Sequence, residues 1–251
     1  MRDEFDWNKQ HIWNADGDDV PLTDDDAGLG YDVQVHNDIT EVATITGNLE
    51  GALCRWIENA DFLFCCFAWF TNHRVLDAMA DLKHGCCVVV QKEDFLRPDS
   101  GHTSSSNVVL RQKYAKLRTQ WRLDLPGIAG SLSMSTGCEG DAVRCAGVSN
   151  TDRRQAVPRM HHKFAVACKV FMRQHDMVDY QQDYPEFHPY STWTGSFNPT
   201  INGTRSRENA VVIESKTVSR RYLKEWERVF AMSEPLDWSS EWCSPEWRIG
   251  T

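Results

Sequence analysis

Three short stretches of the sequence carry side chains that suit chemistry at a phosphate. The first holds His161 and Lys163, the second Ser196 and Asn198, and the third begins at Glu208. An imidazole has a pKa near neutral, so it can act as a nucleophile or carry a proton. A lysine ammonium and an asparagine amide can hold a phosphate and stabilise the charge of its transition state. A carboxylate behind the imidazole can fix its tautomer.

The spacing within each stretch is typical of a β-strand. Side chains at i and i+2 share one face of a strand, so His161 and Lys163 should point the same way and His162 the opposite way. The same rule pairs Ser196 with Asn198. We expect the three strands that position these residues at 160–170, 192–197 and 208–213.

Upstream, the sequence alternates between strand and helix patterns. The near-continuous apolar run at 62–70 is typical of a buried central strand. A helix at 73–83, capped by Thr71 or Asn72 and ended by Gly85, separates it from a second buried strand at 86–91. This unit predicts an α/β fold with a sheet flanked by helices. Further strands are expected at 31–36 and 128–134, further helices at 47–59 and 218–230, and a Gly/Ser/Asp/Arg-rich loop at 135–158.

A basic segment stands out in a chain whose formal charge is −9. Residues 100–123 contain no Asp or Glu, and Leu110, Tyr114, Leu117 and Trp121 recur at a helical spacing. The pattern predicts an amphipathic helix with its basic side outward. That side is either a solvated helix face or a surface that contacts phosphates. Its basic residues are Arg111, Lys113, Lys116, Arg118 and Arg122.

Charge and cysteine usage narrow the class of protein. Residues 1–28 hold nine acidic residues against Arg2 and Lys9, so the acidic excess belongs mainly to an N-terminal arm, 1–30. This balance excludes a histone-like basic binder. The nine cysteines, two pairs of which lie in apolar runs, are typical of free thiols in a reducing compartment. With no secretory signal and no membrane-length apolar run, we expect a cytoplasmic protein that does not enter membranes.

Taken together, the motifs resemble the phospholipase D superfamily, whose signature is H-x-K-x4-D followed by G-S-x-x-N or G-S-x-N and a downstream Glu-Asn. The resemblance covers roughly residues 45–235. It implies a phospholipase D-like mixed sheet flanked by helices, within a catalytic domain of residues 31–251 that ends in a Trp-rich tail. One position departs, because Cys168 stands where the family has aspartate; Asp176, Asp179 or Asp183 are possible substitutes. The matching residues are His161, Lys163, Gly195, Ser196, Asn198, Glu208 and Asn209.

The resemblance implies a phosphodiesterase that works without a metal or other cofactor. The family uses two H-x-K motifs, one histidine forming a phosphohistidine and the other protonating the leaving group. Because this chain has one motif and no internal repeat, we expect a two-fold homodimer with the site at the interface. The implied activity is that of a nuclease that cleaves DNA or RNA. The sequence does not indicate whether the protein has partners in a defence system or a mobile element. The alternatives are a catalytically weakened nucleic-acid-binding protein and, less favoured, a phospholipase.

Overall fold

A computed structural model describes residues 38–93, 96, 105–119, 141–148, 159–173 and 184–236, together with the backbone of two short strands nearer the N-terminus. The expected strands at 31–36 and 128–134 lie outside the described residues, as do the tail beyond 236 and most of the acidic arm. The strands are β1 (His11–Trp13), β2 (Asp19–Pro21), β3 (Glu41–Ile45), β4 (Phe62–Phe67), β5 (Cys86–Gln91), β6 (Val143–Ala146), β7 (Lys163–Arg173), β8 (Tyr184–Gly195), β9 (Ala210–Glu214) and β10 (Glu234–Pro235). The helices are α1 (Leu49–Ile57), α2 (His73–Ala80), α3 (Ser105–Tyr114), α4 (Ile201–Arg205) and α5 (Lys216–Ala231).

Eight of the strands form one mixed sheet in the order β10-β6-β5-β4-β7-β8-β9-β3. β4, β5 and β6 run parallel, and each remaining neighbour pairs antiparallel. The helices cover both faces, α1 to α3 on one side and α5 on the other. The predicted class, a mixed α/β sheet flanked by helices, is therefore confirmed.

The position of β4 in the middle of the sheet explains its unbroken apolar run. Every residue of β4 is buried. Leu63 and Phe67 pack among the residues of α1, α2 and α3. Phe64 points the other way, with its ring centre 4.6 Å from that of Trp226 in α5. A strand covered on both faces needs apolar residues at every position, so the alternation of a half-exposed strand disappears.

The helices begin where the sequence supplies a capping side chain. Asn72 accepts hydrogen bonds from the backbone N–H groups of Arg74 and Val75 at the start of α2. Ser215 caps α5 in the same way through Val218. These side chains satisfy N–H groups that the first turn of a helix leaves without a partner. Of the described helices, none has both the length and the apolar character needed to cross a membrane.

Several expected boundaries were wrong. β4 ends at Phe67 rather than at 70, and α2 ends at Ala80 rather than at 83. β6 lies inside the expected 135–158 loop; it is short, but all four of its residues are buried against β5. β3 was not predicted, and it pairs as an edge strand with β9. β7 and β8 form a hairpin much longer than expected, extending to Arg173 and back from Tyr184.

The basic segment is only partly helical. α3 ends at Tyr114, so the apolar stripe continues through a turn rather than a longer helix. Leu110, Tyr114 and Leu117 of the stripe are buried as predicted. Trp121, the last member of the stripe, lies outside the described residues. The chain leaves the helix because residues 118 and 119 bond to the start of β5.

Candidate active site

The strand pairing brings the three chemical stretches to one end of the sheet. Lys163, the first residue of β7, pairs with Phe67, the last residue of β4. Gly195, the last residue of β8, pairs with Ala210, the first residue of β9. β7 and β9 therefore begin where β4 and β8 end. The stretches at 160–163, 195–198 and 208–210 meet as a consequence, although the first and last of these residues are 50 positions apart in the sequence.

The Gly-Ser turn after β8 is held by the chain that leads into β9. Gly195 has φ 148°, and a Cβ at this position would lie 2.5 Å from the carbonyl oxygen of Asn209. That carbonyl accepts hydrogen bonds from the N–H groups of Ser196 and Phe197, at 3.1 and 3.3 Å. Only glycine allows this approach of the two backbones. The close contact fixes the place of the serine and of the asparagine that follows.

The side chain at the centre of the site is Trp69, which the sequence analysis missed. Its ring meets the imidazole of His161 edge to face, with the centres 5.4 Å apart at 79°. The ammonium nitrogen of Lys163 lies 5.9 Å from the centre of the same ring. The backbone N–H of Trp69 donates to Oδ1 of Asn198 at 3.3 Å, which leaves the amide NH₂ of Asn198 available to a substrate. Trp69 thus joins the His-x-Lys stretch to the Gly-Ser-x-Asn stretch.

Two further residues hold Trp69 in place. Its indole N–H donates to Oε1 of Glu93 at 3.0 Å. Arg159 lies 3.8 Å from the same carboxylate oxygen and places its guanidinium 5.9 Å from the centre of the indole ring. One feature of the sequence could have indicated Trp69. Strands commonly have five or six residues, so the expected strand 62–70 was long enough for its last residues, Trp69 among them, to lie beyond the end of the strand.

The two adjacent histidines point in opposite directions. His161 faces Trp69, whereas Nε2 of His162 lies 3.0 Å from Oε1 of Glu225 in α5. His162 also packs against the ring of Phe164 on that side. This geometry agrees with the strand alternation expected from the sequence, and it leaves His161 as the imidazole that shares a surface with Lys163.

Burial and charge act in opposite ways on Lys163. Its ammonium donates to the backbone carbonyl of His161 at 2.7 Å, which leaves further N–H donors for a phosphate. Partial burial lowers the pKa of Lys163, and the nearby carboxylate of Glu208 raises it. Glu208 is thus close enough to stabilise the charged form of the lysine.

The pKa of His161 is lowered from its ordinary value, chiefly by burial and then by the positive charges of Lys163 and Arg159. Both causes disfavour the imidazolium form. A neutral imidazole at neutral pH keeps a lone pair on one ring nitrogen. The site therefore supplies the form of histidine that can attack phosphorus.

Glu208 does not lie behind the imidazole, as the sequence analysis expected. Its carboxylate accepts a hydrogen bond from the hydroxyl of Ser196, which itself accepts from the N–H of Asn209 at 3.0 Å. In the described part of the chain no hydrogen bond joins Glu208 to His161. The role expected for Glu208 is corrected accordingly: it fixes Ser196 and supports the charge of Lys163.

The basic residues at 111–118 lie on α3 and on the turn that leads from it to the start of β5. Lys113 pairs with Asp77 of α2 at 2.5 Å, while Lys116 and Arg118 are exposed. The carbonyl of Arg118 accepts from the N–H of Cys86, at the opposite end of β5 from the site and about 16 Å along the strand. Arg111 lines a separate cavity beside Tyr114, and Arg122 lies outside the described residues. Their role as substrate contacts remains a prediction.

Cys168 lies far from the reacting groups. It is five residues along β7 from Lys163, about 16 Å, and a β-bulge precedes it. Its side chain is fully buried against α5, on the face opposite Trp69, and burial raises the pKa of its thiol. The substitutes suggested for the family's aspartate, Asp176, Asp179 and Asp183, lie outside the described residues.

Replacing Cys168 with alanine is therefore expected to leave the activity within about twofold of the wild type. The loss of a buried sulfur should lower the free energy of unfolding by about 1–2 kcal/mol, because it removes packed volume. Parallel measurements of denaturant unfolding and of phosphodiester cleavage test both parts. An activity loss as large as that of a His161→Ala variant would show that the thiol has a chemical role.

Comparisons with known proteins were made by sequence and by structure. No protein-family model matches the chain. The uncharacterized protein L381 of Acanthamoeba polyphaga mimivirus is 30% identical over 207 residues, which is 77% of this chain and 66% of that protein. The chain thus spans slightly less than two thirds of the length of this curated relative.

The solved structures that are similar to this chain include the following three. Nuc of Salmonella typhimurium, described as a phospholipase D family member, is 16% identical with a TM-score of 0.42, covering 77% of this chain and 97% of Nuc. NucT of Helicobacter pylori is 10% identical with a TM-score of 0.43, covering 75% and 94%. Phosphatidylserine synthase of Haemophilus influenzae Rd KW20 is 11% identical with a TM-score of 0.38, covering 82% and 42%.

The chain folds as a mixed α/β sheet flanked by helices, and its motifs resemble those of the phospholipase D superfamily. The His-x-Lys stretch opens one strand and the Gly-Ser-x-Asn stretch closes its neighbour. The first contacts the ring of Trp69, and the second binds the backbone N–H of the same residue. Among the described residues, no group of three or more His, Cys, Asp and Glu side chains is placed to hold a metal ion. The groups at hand are an imidazole, an ammonium, an amide and a hydroxyl.

Proposed function

We propose that this protein is a phosphodiesterase that cleaves nucleic acid through a covalent phosphohistidine, with no metal ion, at the interface of a homodimer. One observation carries the proposal: His161, Lys163 and Asn198 converge on Trp69 at one end of the sheet. A nucleophile and two kinds of phosphate-binding donor thereby share one small surface. This is what displacement at a phosphodiester requires.

The first half of the reaction forms the covalent intermediate. A ring nitrogen of the neutral His161 attacks phosphorus, and a nitrogen–phosphorus bond forms as the bond to the leaving oxygen breaks. Lys163 and Asn198 hold the non-bridging oxygens and offset the negative charge that grows in the transition state. The leaving oxygen takes a proton from the imidazolium of His161 of the partner subunit.

The second half reverses these roles. The partner's His161, now neutral, takes a proton from water, and the water oxygen attacks phosphorus. The nitrogen–phosphorus bond breaks, which releases a phosphomonoester and restores the neutral His161. Each displacement inverts the configuration at phosphorus, so the complete reaction retains it.

A second copy of the chain is required because the two halves of the reaction need two imidazoles. His162 does not supply the second one, because its ring faces Glu225 on the other side of the sheet. A two-fold axis beside the site would place His161 of each copy against the same phosphate. Nucleic acid is the substrate we favour over lipid, because the residues around the site are polar and charged.

Cleavage of plasmid and single-stranded DNA in the presence of EDTA tests this proposal. We expect cleavage to survive chelation, and the protein to migrate near twice 28.8 kDa at micromolar concentration. An alkaline quench during turnover should leave the retained fragment of the substrate joined through its phosphate to the peptide that contains His161. Activity that returns only with Mg²⁺ or Zn²⁺ would contradict the metal-free chemistry, and a monomer that cleaves would contradict the shared site. RNA of matched sequence, assayed beside the DNA, decides between the two nucleic acids.

A further inference from the structure

A polar cavity of about 510 Å³ opens directly beside the candidate active site. One wall is formed by residues 46–50, the turn before α1 and its first turn. The other wall is formed by residues 203–208, which lead from α4 toward β9. Glu208 belongs both to this cavity and to the active site, where it holds Ser196. A molecule bound at the site can therefore extend into the cavity.

The charge left free in the cavity is positive. Glu50 already holds Asn72 at 2.6 Å and Arg74 at 3.1 Å. The other carboxylate, Glu208, is engaged as described above. Two exposed arginines on the loop wall face no such partner: within the described ranges, no carboxylate lies at ion-pair distance from Arg205 or Arg207. Two guanidinium groups are thus left to bind an anion.

The wall that carries these arginines packs against the backbone of Asn198, in the Gly-Ser-x-Asn stretch of the candidate active site. A Cβ on Gly203 would lie 2.3 Å from the carbonyl oxygen of Asn198, so the two backbones are in close contact. The hydroxyl of Thr200 accepts from the N–H of Gly203 at 2.8 Å, which fixes the first turn of α4. An anion held by the arginines would consequently sit at a set distance from the phosphate held by Asn198.

The lining also indicates what kind of molecule fits. Of the residues that the structure describes, Leu49 is the one large apolar side chain that lines the cavity, and it is buried. An acyl chain would leave the surrounding polar groups without partners, which is unfavourable. A phosphate with its sugar offers acceptors to the arginines and hydroxyls to the carboxylate, amide and backbone groups of the walls.

We propose that this cavity binds the nucleotide next to the scissile phosphate, with Arg205 and Arg207 on the neighbouring phosphodiester. The inference rests on the proposed function and names the substrate subsite that would make the enzyme prefer polynucleotides to small diesters. It also means that the basic phosphate contacts nearest to the reacting groups come from the loop that carries Arg205 and Arg207. That loop lies outside the basic segment 111–122.

The test compares an Arg205→Gln/Arg207→Gln double variant with its parent, both carrying His161→Ala so that a fluorescent single-stranded oligonucleotide is bound but not cleaved. We expect the Kd to rise at least about tenfold, because charge-assisted hydrogen bonds are lost. The slope of log affinity against log salt should fall by about 0.7 for each lost phosphate contact. Arg220→Gln, on the exposed side of α5, is the matched control and should leave Kd within about twofold.

An unchanged Kd and salt slope in the double variant, or an equal loss in Arg220→Gln, would overturn the subsite. The proposed function is judged separately, with bis(p-nitrophenyl) phosphate and the wild-type catalytic residues. The Arg220→Gln control should cleave this small diester at the wild-type kcat, since Arg220 lies on α5 and does not line the cavity. If the wild-type protein fails to cleave any diester, the proposed function is wrong. The oligonucleotide-binding measurements would still show whether the subsite exists.

Discussion

Replacing His161 with alanine is expected to lower kcat by about 10⁴-fold or more on any phosphodiester. In the proposed homodimer the substitution removes the nucleophile from one copy and the proton donor from the other, so both halves of the proposed reaction fail. The imidazole contacts the edge of Trp69 at the surface of the site, and its loss should leave the sheet and its core intact. Turnover of an oligonucleotide and of a small diester measures the effect.

The adjacent histidine provides a matched control. His162→Ala removes a ring of the same kind one position away, but that ring lies against Glu225 and Phe164 on the opposite face. We expect this variant to keep most of the activity and to lose a little stability, because the contact between His162 and Glu225 is lost. Equal losses from the two substitutions would indicate disrupted folding rather than lost chemistry, and an active His161→Ala variant would contradict the proposed mechanism.

Mixed dimers extend the same test to the shared site. A dimer with one His161→Ala chain keeps a single imidazole, which cannot serve as nucleophile and proton donor in the same turnover. The activity of a mixture of the two chains should therefore fall to that of the wild-type dimers alone. Activity proportional to the amount of wild-type chain would show instead that each copy works by itself.

The lowered pKa of His161 gives this pair of histidines a characteristic pH dependence. The proposed mechanism needs one neutral and one protonated imidazole, so the pair has to carry a single proton. Burial and the charges of Lys163 and Arg159 oppose the second proton. The acid limb of the pH profile of kcat/KM should consequently have its midpoint below 6.5, the ordinary pKa of histidine. This midpoint belongs to the pair of histidines and not to either residue alone.

The elements that could be predicted from the sequence are the strands that are buried on both faces. β4 and β5 lie in the middle of the sheet with helices on both faces, so unbroken apolar runs identify them. β8 is different, because prolines at 185 and 189 and alternating polar residues hide a strand that draws its stability from a long hairpin with β7. The edge strand β3 is similarly hidden, since most of its residues are exposed.

In the candidate site, the residues that could be predicted belong to short sequence motifs, and the residues that could not are positioned by contacts distant in sequence. His161, Lys163, Ser196 and Asn198 are found by spacing within short motifs, and strand pairing then brings them together. Trp69 is found only when distant contacts are known, since its partners lie from 24 to 129 residues away in sequence. The place of Glu208 was misjudged for the same reason: no local rule says that its carboxylate reaches Ser196 rather than an imidazole.

Replacing Lys163 with methionine is the second change from which we expect a large effect, a loss of about 10²–10³-fold in kcat. Methionine keeps the length of the side chain but removes the charge that offsets the transition state, and the loss of one such donor commonly has this size. KM for a small diester should change much less than kcat, because charge develops mainly as the reaction proceeds. Steady-state kinetics of the variant measure both.

Lys169→Met is the control for this change. Lys169 lies farther along the same strand and donates to the backbone carbonyl of Asn59 at 2.8 Å, away from the site. Both variants exchange a lysine of β7 for methionine, so a general effect on the hairpin would appear in both. We expect nearly wild-type kcat from Lys169→Met, and a comparable loss in the two variants would remove Lys163 from the mechanism.

The charge on Lys163 should also set the alkaline limit of activity when the leaving group needs no proton, as with p-nitrophenolate. Burial lowers the pKa of this lysine from its ordinary value of 10.5, so the ammonium is lost, and the rate falls, at a lower pH than for an exposed lysine. Glu208 acts in the opposite direction and raises that pKa. Glu208→Gln removes the negative charge, lowers the pKa of Lys163 further and should move the alkaline limb to lower pH, whereas Lys169→Met should leave it in place. An alkaline limb that stays fixed in Glu208→Gln would mean that Lys163 does not carry the charge on which the reaction depends.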